Sequence, residues 1–180
     1  FITTYENFIK DEISKIIVYP FLYQYLPSYR VQLPQDQAIH KWHYDSDKDH
    51  KHPEGEINFC IAITQMKNTT AIWCESEPGI KDFKPLEIDY GEFFQFNGNK
   101  CTHGNKVNIS ENSRISLDFR ILPFQKYFCS KALLLVSTSF YLHAAAATSA
   151  IRACSLRDGR RGSGSSERGR RCPSHTRKTL

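Results

Sequence analysis

The sequence lacks the cysteine spacing that marks a structural zinc site. Its six cysteines stand at positions 60, 74, 101, 129, 154 and 172, and no two of them form a Cys-x-x-Cys pair. Cys60, Cys74 and Cys101 fall in apolar or mixed runs, where a cysteine usually behaves as a small buried hydrophobe. We therefore expect reduced thiols and a cytoplasmic protein, rather than one held together by disulfides.

Two further features are lacking: a secretion signal and, over most of the chain, an excess of basic charge. The sequence begins FITTYENF, without an initiator methionine, and we interpret it as an N-terminally truncated domain. Residues 1–127 carry 14 Lys and Arg against 17 Asp and Glu, a net charge of −3, whereas residues 128–180 carry 10 against 2, a net charge of +8. This distribution argues against a domain that binds nucleic acid specifically.

The basic charge belongs to a separate tail, which we predict over residues 128–180, after a structured domain at residues 1–127. The run KALLLVSTSFYLHAAAATSAI is just long enough to cross a bilayer, but its Ser, Thr, Tyr and His content predicts no membrane span. The run RDGRRGSGSSERGRR has nothing to bury and predicts a disordered segment. The sequence leaves the oligomeric state open.

The apolar pattern of the first 127 residues predicts a helix followed by strands. Ile9, Ile13, Ile16, Ile17 and Phe21 form one stripe at helical spacing, and Pro20 should end or kink that helix. Short runs rich in β-branched and aromatic residues follow: SYRVQL, AIHKWHYD, EINFCIAITQ, TAIWCES, GEFFQFNG and SRISLDFRIL. We predict an all-β core with an N-terminal helix, arranged as an antiparallel sandwich or barrel, with a jelly roll among the options.

One stretch, HKWHYDSDKDHKH at residues 40–52, packs four histidines and three aspartates into thirteen positions. Most charge runs of this kind are solvated loops, and we interpret His50 and His52 in that way. His43 and Asp45, however, are two residues apart, so on a strand they would share a face. If His103 joined them inside a barrel, two histidines and one carboxylate would form a facial triad suited to Fe(II).

A second polar set lies on the run SRISLDFRIL. Arg114, Ser116, Asp118 and Arg120 alternate there with apolar residues, so one strand face is entirely polar. That face either meets water, as in many half-buried strands, or lines a site. In the second case Arg114 and Ser116 would clamp a carboxylate through charge-assisted hydrogen bonds.

The order His-x-Asp, distal His and Arg-x-Ser resembles the Fe(II)/2-oxoglutarate-dependent oxygenases, and more narrowly the streptomycin-biosynthesis dioxygenase-like (StrG-like) family. The resembling segments are PSYRVQLP, HYDSD, HPEGEINF, WCESEPGIKDFKPLEIDYGE and FNGNKCTHGNKVNISENSRISLDFRILP, which together span about residues 27–127. The resemblance implies a double-stranded β-helix (jelly roll, cupin-like) fold. It also implies Fe(II) and 2-oxoglutarate as cofactors, with O2 and a small polar metabolite as substrates.

The resemblance also assigns roles to residues. It implies that His43, Asp45 and His103 bind the iron, and that Arg114, assisted by Ser116, binds the distal carboxylate of 2-oxoglutarate. In the related halogenases a small residue replaces the carboxylate ligand, so Asp45 implies hydroxylation or another oxidation rather than halogenation.

Two residues on neighbouring runs complete the set of expected cofactor contacts. Arg120, which shares its strand face with Arg114, is the alternative partner of 2-oxoglutarate. Asn58 is a candidate for a hydrogen bond to 2-oxoglutarate or to a ligand histidine. The alternative function is that of a cupin-like barrel, a degenerate copy that binds a metal or a ligand without oxygenase activity.

Overall fold

The computed structural model describes residues 1–37, 41–129, 140–143 and 176–179. Most of the basic tail lies outside these residues, and of the apolar run considered as a membrane segment only residues 140–143 are described. Within them, no helix is both long enough and apolar enough to cross a membrane.

The chain begins with a helical segment that covers one face of the fold. It comprises α1 (Ile2–Phe8), a π-helical turn (Ile9–Ile13) and α2 (Ser14–Ile16). Ile9 and Ile13 of the predicted stripe are fully buried, and so is Tyr5. The inclusion of Phe21 in this helix is wrong, because the backbone of Ile17 is already extended and Phe21 begins a strand. In a continued helix the ring of Pro20 would clash with the carbonyl of Ile16.

In the described residues that follow there are ten strands and one short helix. The strands are β1 (Phe21–Gln24), β2 (Ser28–Gln32), β3 (Ile57–Ala62), β4 (Ile72–Cys74), β5 (Lys84–Leu86), β6 (Glu92–Phe96), β7 (His103–Gly104), β8 (Arg114–Pro123), β9 (Phe140–His143) and β10 (Thr176–Thr179). A 3-10 turn, Asn68–Thr70, precedes β4, and α3 (Phe124–Cys129) follows β8.

The strands form two antiparallel sheets. The larger sheet has seven strands in the order β10-β6-β3-β8-β1-β9, and β2 also pairs with β8, end to end with β1. The smaller sheet has the order β5-β4-β7. The prediction of an antiparallel β core with an N-terminal helix is confirmed. The strands β9 and β10 lie beyond residue 127, where we expect the domain to end, and that boundary stays a prediction.

One predicted strand is missing. The described part of AIHKWHYD forms no strand, and only His43 pairs, in an isolated antiparallel bridge with His103. The segment is held instead by single hydrogen bonds to other loops, such as the 2.9 Å bond from the Asp45 amide to the Gly98 carbonyl. The strand predicted from its β-branched and aromatic content is therefore wrong for residues 41–45.

The larger sheet has an apolar core on each of its faces. On one face the helical segment packs on a cluster that includes Phe59, Phe119 and Ile121. On the other face Cys60, Met66 and other apolar residues fill the space beside the smaller sheet. Strand alternation explains the division, because successive side chains of β3 and β8 point to opposite faces.

The same alternation determines which way the polar side chains of β8 point. Asn58 pairs in register with Arg120, and Cys60 with Asp118, so these four side chains share one face of the sheet. That face looks toward the space between the two sheets, where Cys60 is buried. The interpretation of a polar strand face in water is therefore wrong for Arg114 and Ser116, which are both buried.

We expect Phe59→Ala to lower the free energy of unfolding by about 3–5 kcal/mol, because it empties a fully buried site. The ring of Phe59 stacks on that of Phe119, with centroids 5.0 Å apart. Urea denaturation measures the loss, with Tyr90→Ala as the control because Tyr90 is exposed. A loss as small as that of the control would show that this cluster does not stabilise the fold.

Candidate metal centre and adjoining cavity

His43 and His103 are brought together by the backbone. The His43 amide donates to the His103 carbonyl at 3.1 Å, and the His103 amide donates to the His43 carbonyl at 2.8 Å. His103 begins β7, which pairs with β4 at Cys74 and so belongs to the smaller sheet. Two backbone hydrogen bonds thus fix residues that are 60 positions apart in the sequence.

Both imidazole rings are held in the same tautomer. The Nδ1 of His43 lies 2.7 Å from the Lys41 carbonyl oxygen, and the Nδ1 of His103 lies 3.1 Å from that of Cys101. A carbonyl oxygen can only accept, so each Nδ1 carries a proton and donates it. The lone pair of each neutral ring is then on Nε2, the atom that faces the partner carboxylate.

The two Nε2 atoms converge on a single oxygen of Asp45. Its Oδ1 lies 3.4 Å from Nε2 of His43 and 3.8 Å from Nε2 of His103. One donor atom from each of the three side chains lies within 4.8 Å of the other two, a spacing at which they could hold a metal ion. The structure therefore brings together the three residues that the sequence singles out, and their role as ligands stays a prediction.

The other oxygen of Asp45 is occupied by the protein. Its Oδ2 accepts hydrogen bonds from Asn58 Nδ2 at 2.6 Å and from Arg120 Nε at 2.9 Å. The carboxylate is only 1% exposed, and burial by itself raises its pKa. The hydrogen bonds and charges of His43 and Arg120 outweigh burial and hold the pKa of Asp45 well below its usual range. Asp45 is therefore ionised, with Oδ1 directed at the two histidines.

The two histidines respond differently to the same carboxylate. The hydrogen bond with Asp45 raises the pKa of His43, whereas burial lowers the pKa of His103. His103 is consequently neutral at pH 7 and ready to donate its lone pair. A metal ion must displace any proton that His43 carries, so metal binding at this site is coupled to proton release.

The buried carboxylate of Glu56 also contacts Arg120. Oε2 of Glu56 lies 3.7 Å from Arg120 Nε and accepts a 3.0 Å hydrogen bond from Nδ1 of His52. Glu56 is buried, and the side chain of His52 is 32% exposed. The interpretation of His52 as a solvated loop residue is thus incomplete, because it belongs to a chain of contacts that leads to Asp45.

Arg114 is the one guanidinium near this centre with buried nitrogens that lack a partner in the described part of the chain. It is 1% exposed, and its Nη2 donates to Ser116 Oγ at 3.0 Å. Its Nε and Nη1 make no hydrogen bond. Asp118 lies further off, with Oδ2 4.0 Å from Nη2, and is held by Arg30 at 3.0 Å and by Ser116 at 3.1 Å. Buried cationic donors without partners are rare and fit an anionic ligand.

One cavity is lined both by two of the candidate metal ligands, His43 and His103, and by Arg114 and Arg120. Apolar walls come from residues that include Ile72 and Phe96. Asn58, expected to contact 2-oxoglutarate or a histidine, also lines the cavity, but its amide donates to Asp45. Arg120 likewise uses its Nε for Asp45 rather than keeping the atom free for a cofactor.

Sequence reasoning missed the position of His50. Its ring stacks on that of His43, with centroids 4.1 Å apart and an angle of 20° between the planes. Its Nδ1 donates a hydrogen bond to Asp47 Oδ1 at 2.8 Å. The spacing of Asp47 and His50 hints at a local turn, but no sequence signal indicates that this turn folds back on His43.

The chain is similar to the streptomycin biosynthesis protein StrG of Streptomyces griseus, with 32% identity over 125 residues. The match covers 69% of this chain and 56% of StrG, so the chain spans little more than half the length of this relative. The predicted likeness to a streptomycin-biosynthesis protein is confirmed, and dependence on 2-oxoglutarate stays a prediction. No family model matches the chain.

The chain also matches solved structures at low sequence identity. The nickel complex of the non-heme monooxygenase ThoJ has a TM-score of 0.47 and 12% identity, and the match covers 64% of this chain and 49% of ThoJ. The structure of EvdMO1 has a TM-score of 0.49 and 16% identity, and the match covers 66% of this chain and 32% of EvdMO1.

We expect Gly98→Ala to destabilise the protein by about 1–3 kcal/mol, because a methyl group there overpacks a closed site. The added Cβ would lie 2.9 Å from Nδ2 of Asn58, the donor to Asp45, and 2.8 Å from the ring of Phe96. Urea denaturation of Gly98→Ala, Asn58→Ala and the double variant gives the coupling energy between the two sites. The cost of the methyl group should fall when Asn58 is absent. An unchanged cost would mean that Phe96, and not Asn58, requires glycine at this position.

Proposed function

We propose that the protein is an Fe(II)- and 2-oxoglutarate-dependent oxygenase that oxidises a small polar metabolite on a double-stranded β-helix scaffold. The observation that carries the proposal is the convergence of His43 Nε2, His103 Nε2 and Asp45 Oδ1. Two sheets that enclose a site between them suit a jelly roll. The similarity to StrG, whose name assigns it to streptomycin biosynthesis, favours a biosynthetic role.

The donor set suits non-haem iron. Two neutral imidazole nitrogens and one carboxylate oxygen leave several coordination positions open, which is the arrangement of Fe(II) oxygenases. The group contains no thiolate, whereas structural zinc is usually held by four ligands that include cysteine. Asn58 and Arg120 would hold the carboxylate ligand in orientation, as partners of metal ligands usually do.

The pocket around Arg114 suits the distal carboxylate of 2-oxoglutarate. A carboxylate would give Nε and Nη1 the partners that they lack, through charge-assisted hydrogen bonds. Ser116 holds the guanidinium through Nη2 and so fixes its plane. Arg114 and both histidines line the same cavity, so one small molecule can contact the metal at one end and Arg114 at the other.

The reaction follows from what each group supplies. When bound, Fe(II) and 2-oxoglutarate supply the oxidant, with O2 consumed, 2-oxoglutarate converted to succinate and CO2, and one oxygen atom delivered to the substrate. His43, Asp45 and His103 hold the metal, and Arg114 with Ser116 orients the cofactor. Apolar walls that include Phe96 limit the access of water to the reacting centre. Polar side chains of the cavity, such as Arg30 and Asn105, suit a polar substrate.

We expect the anaerobic protein to develop a weak visible charge-transfer band only when Fe(II) and 2-oxoglutarate are both added. The band requires that both bind to the same centre. His103→Ala, which removes one imidazole donor, should abolish it. Absence of the band from folded wild-type protein would contradict the proposal and favour the alternative, a cupin-like barrel that binds a metal or ligand without oxygenase activity.

We expect Arg114→Gln to raise the concentration of 2-oxoglutarate needed to form this band by about 10- to 100-fold, since a charge-assisted carboxylate contact is lost. Arg120→Gln is the matched comparison on the same strand face. It should weaken the binding of Fe(II), because Asp45 loses a hydrogen-bond donor, and leave the 2-oxoglutarate dependence unchanged at saturating Fe(II). The opposite result would make Arg120 the residue that binds the cofactor.

A further inference from the structure

The ring of His43 contacts two other imidazoles. The exposed His50 stacks on it at 4.1 Å, and the buried His103 lies at 4.7 Å with a tilt of 49°. His50 is not within the group of side chains that could share a metal ion. We propose that His50 is a positioning residue, which holds the ring of His43 in its metal-binding orientation by covering its outer face. This inference rests on the proposed role of His43 as a ligand.

A rigid turn fixes His50 in place. Oδ1 of Asp47 accepts three hydrogen bonds: from the Asp49 amide at 2.9 Å, from the His50 amide at 2.8 Å and from the His50 ring at 2.8 Å. The chain then reverses at Lys51, whose φ of 55° lies in the left-handed region. Backbone conformations of this kind in a non-glycine residue persist only where the surroundings impose them.

The end of the turn is tied to the site itself. The Lys51 amide donates to the Asp47 carbonyl at 2.8 Å, and the His52 amide donates to the Asp45 carbonyl at 2.9 Å. His50 therefore sits on a loop that begins and ends at Asp45. Although its side chain is 41% exposed, its position over His43 is fixed by hydrogen bonds on both sides.

Different contacts orient the rings of His103 and His43. His103 is buried, and the ring of Phe96 meets it edge-on at 5.3 Å. His43 donates from Nδ1 to the Lys41 carbonyl oxygen, and its Nε2 lies 3.4 Å from Asp45 Oδ1. Contacts at the two ring nitrogens still allow the ring to tilt about the line between them, and the stacked ring of His50 limits that motion. Aromatic contacts at such distances are favourable beyond the area that they bury.

Binding of Co(II) alone, followed by its visible absorption, tests the effect on the metal site. We expect His50→Ala to raise the Co(II) dissociation constant about tenfold, the lower end of what outer partners of metal ligands contribute. His50→Phe keeps a flat ring without the Asp47 bond and should bind Co(II) nearly as tightly as the wild type. His50→Gln keeps a polar partner for Asp47 without a ring and should resemble His50→Ala. Lys48→Ala, on the exposed part of the same loop, is the control.

Two results would overturn the proposal. If His50→Ala binds Co(II) as tightly as the wild type, the stacking does not position the ligand. If His50→Gln binds Co(II) as tightly as the wild type and His50→Phe does not, the hydrogen bond to Asp47, and not the stacked ring, maintains the metal site. Thermal unfolding of each metal-free variant separates a loss of fold from a loss of ligand orientation.

A measurement on the metal-free protein keeps this inference separate from the proposed function. A ring stacked on His43 shifts the ring-proton NMR signals of His43 upfield. We expect this shift to be lost in His50→Ala and retained in His50→Phe. If the wild type takes up no Co(II), the proposed function fails, and the NMR shift alone decides whether His50 orients the ring. An unchanged His43 spectrum in His50→Ala would refute the contact.

Discussion

A buried negative charge organises the centre of this molecule. The carboxylate of Asp45 is enclosed by protein, and an ionised group in that position is stable only if it is paired and hydrogen-bonded. The partners come from every part of the fold: Asn58 from β3, Arg120 from β8 and His103 from the smaller sheet. The two sheets are thus connected at one carboxylate group, and the loop that carries it must keep a fixed path.

That requirement explains why the loop that carries Asp45 makes so many hydrogen bonds. Ser46 donates to the Asn99 carbonyl from both its amide and its hydroxyl, and the Asp45 amide donates to Gly98. Asn99 in turn binds the loop that follows, through the Pro53 carbonyl and the Gly55 amide. A segment without regular secondary structure is therefore as well defined as a strand, because its polar backbone groups have specific partners.

Much of the site could be predicted because the donor residues themselves are encoded at short range. The spacing of His43 and Asp45, and the alternation along β8, place side chains on one face whatever the rest of the fold does. Alternation predicts two faces of the strand but does not say which of them meets water. The burial of Arg114 could not be predicted from β8 alone, because it depends on the second sheet. The partners of Asp45 could not be predicted. Arg120, for example, is 75 residues away in the sequence, and only the fold brings its side chain to Asp45.

The errors have a common physical origin. AIHKWHYD has strand-like composition, but strand propensity mostly reflects the fit to a pleated neighbour, and in the described part of this run only His43 finds one. Phe21 fits a helical stripe by spacing, yet it reaches the same apolar cluster from a strand. The stacking of His50 depends on the left-handed backbone at Lys51, which a sequence pattern indicates reliably only at glycine or asparagine.

The alternation of β8 also limits how this chain can change in evolution. Arg114, Ser116 and Arg120 face the site, whereas Leu117, Phe119 and Ile121 face the helical segment. Inserting or deleting one residue inside β8 would exchange the two sets beyond that point, so that charges enter the apolar core. The preceding segment, residues 105–113, has no regular structure, and although Asn105 and Asn108 are buried and hydrogen-bonded, its exposed positions can absorb such a change at lower cost than β8. Length variation among relatives should therefore accumulate before Arg114 and stop there.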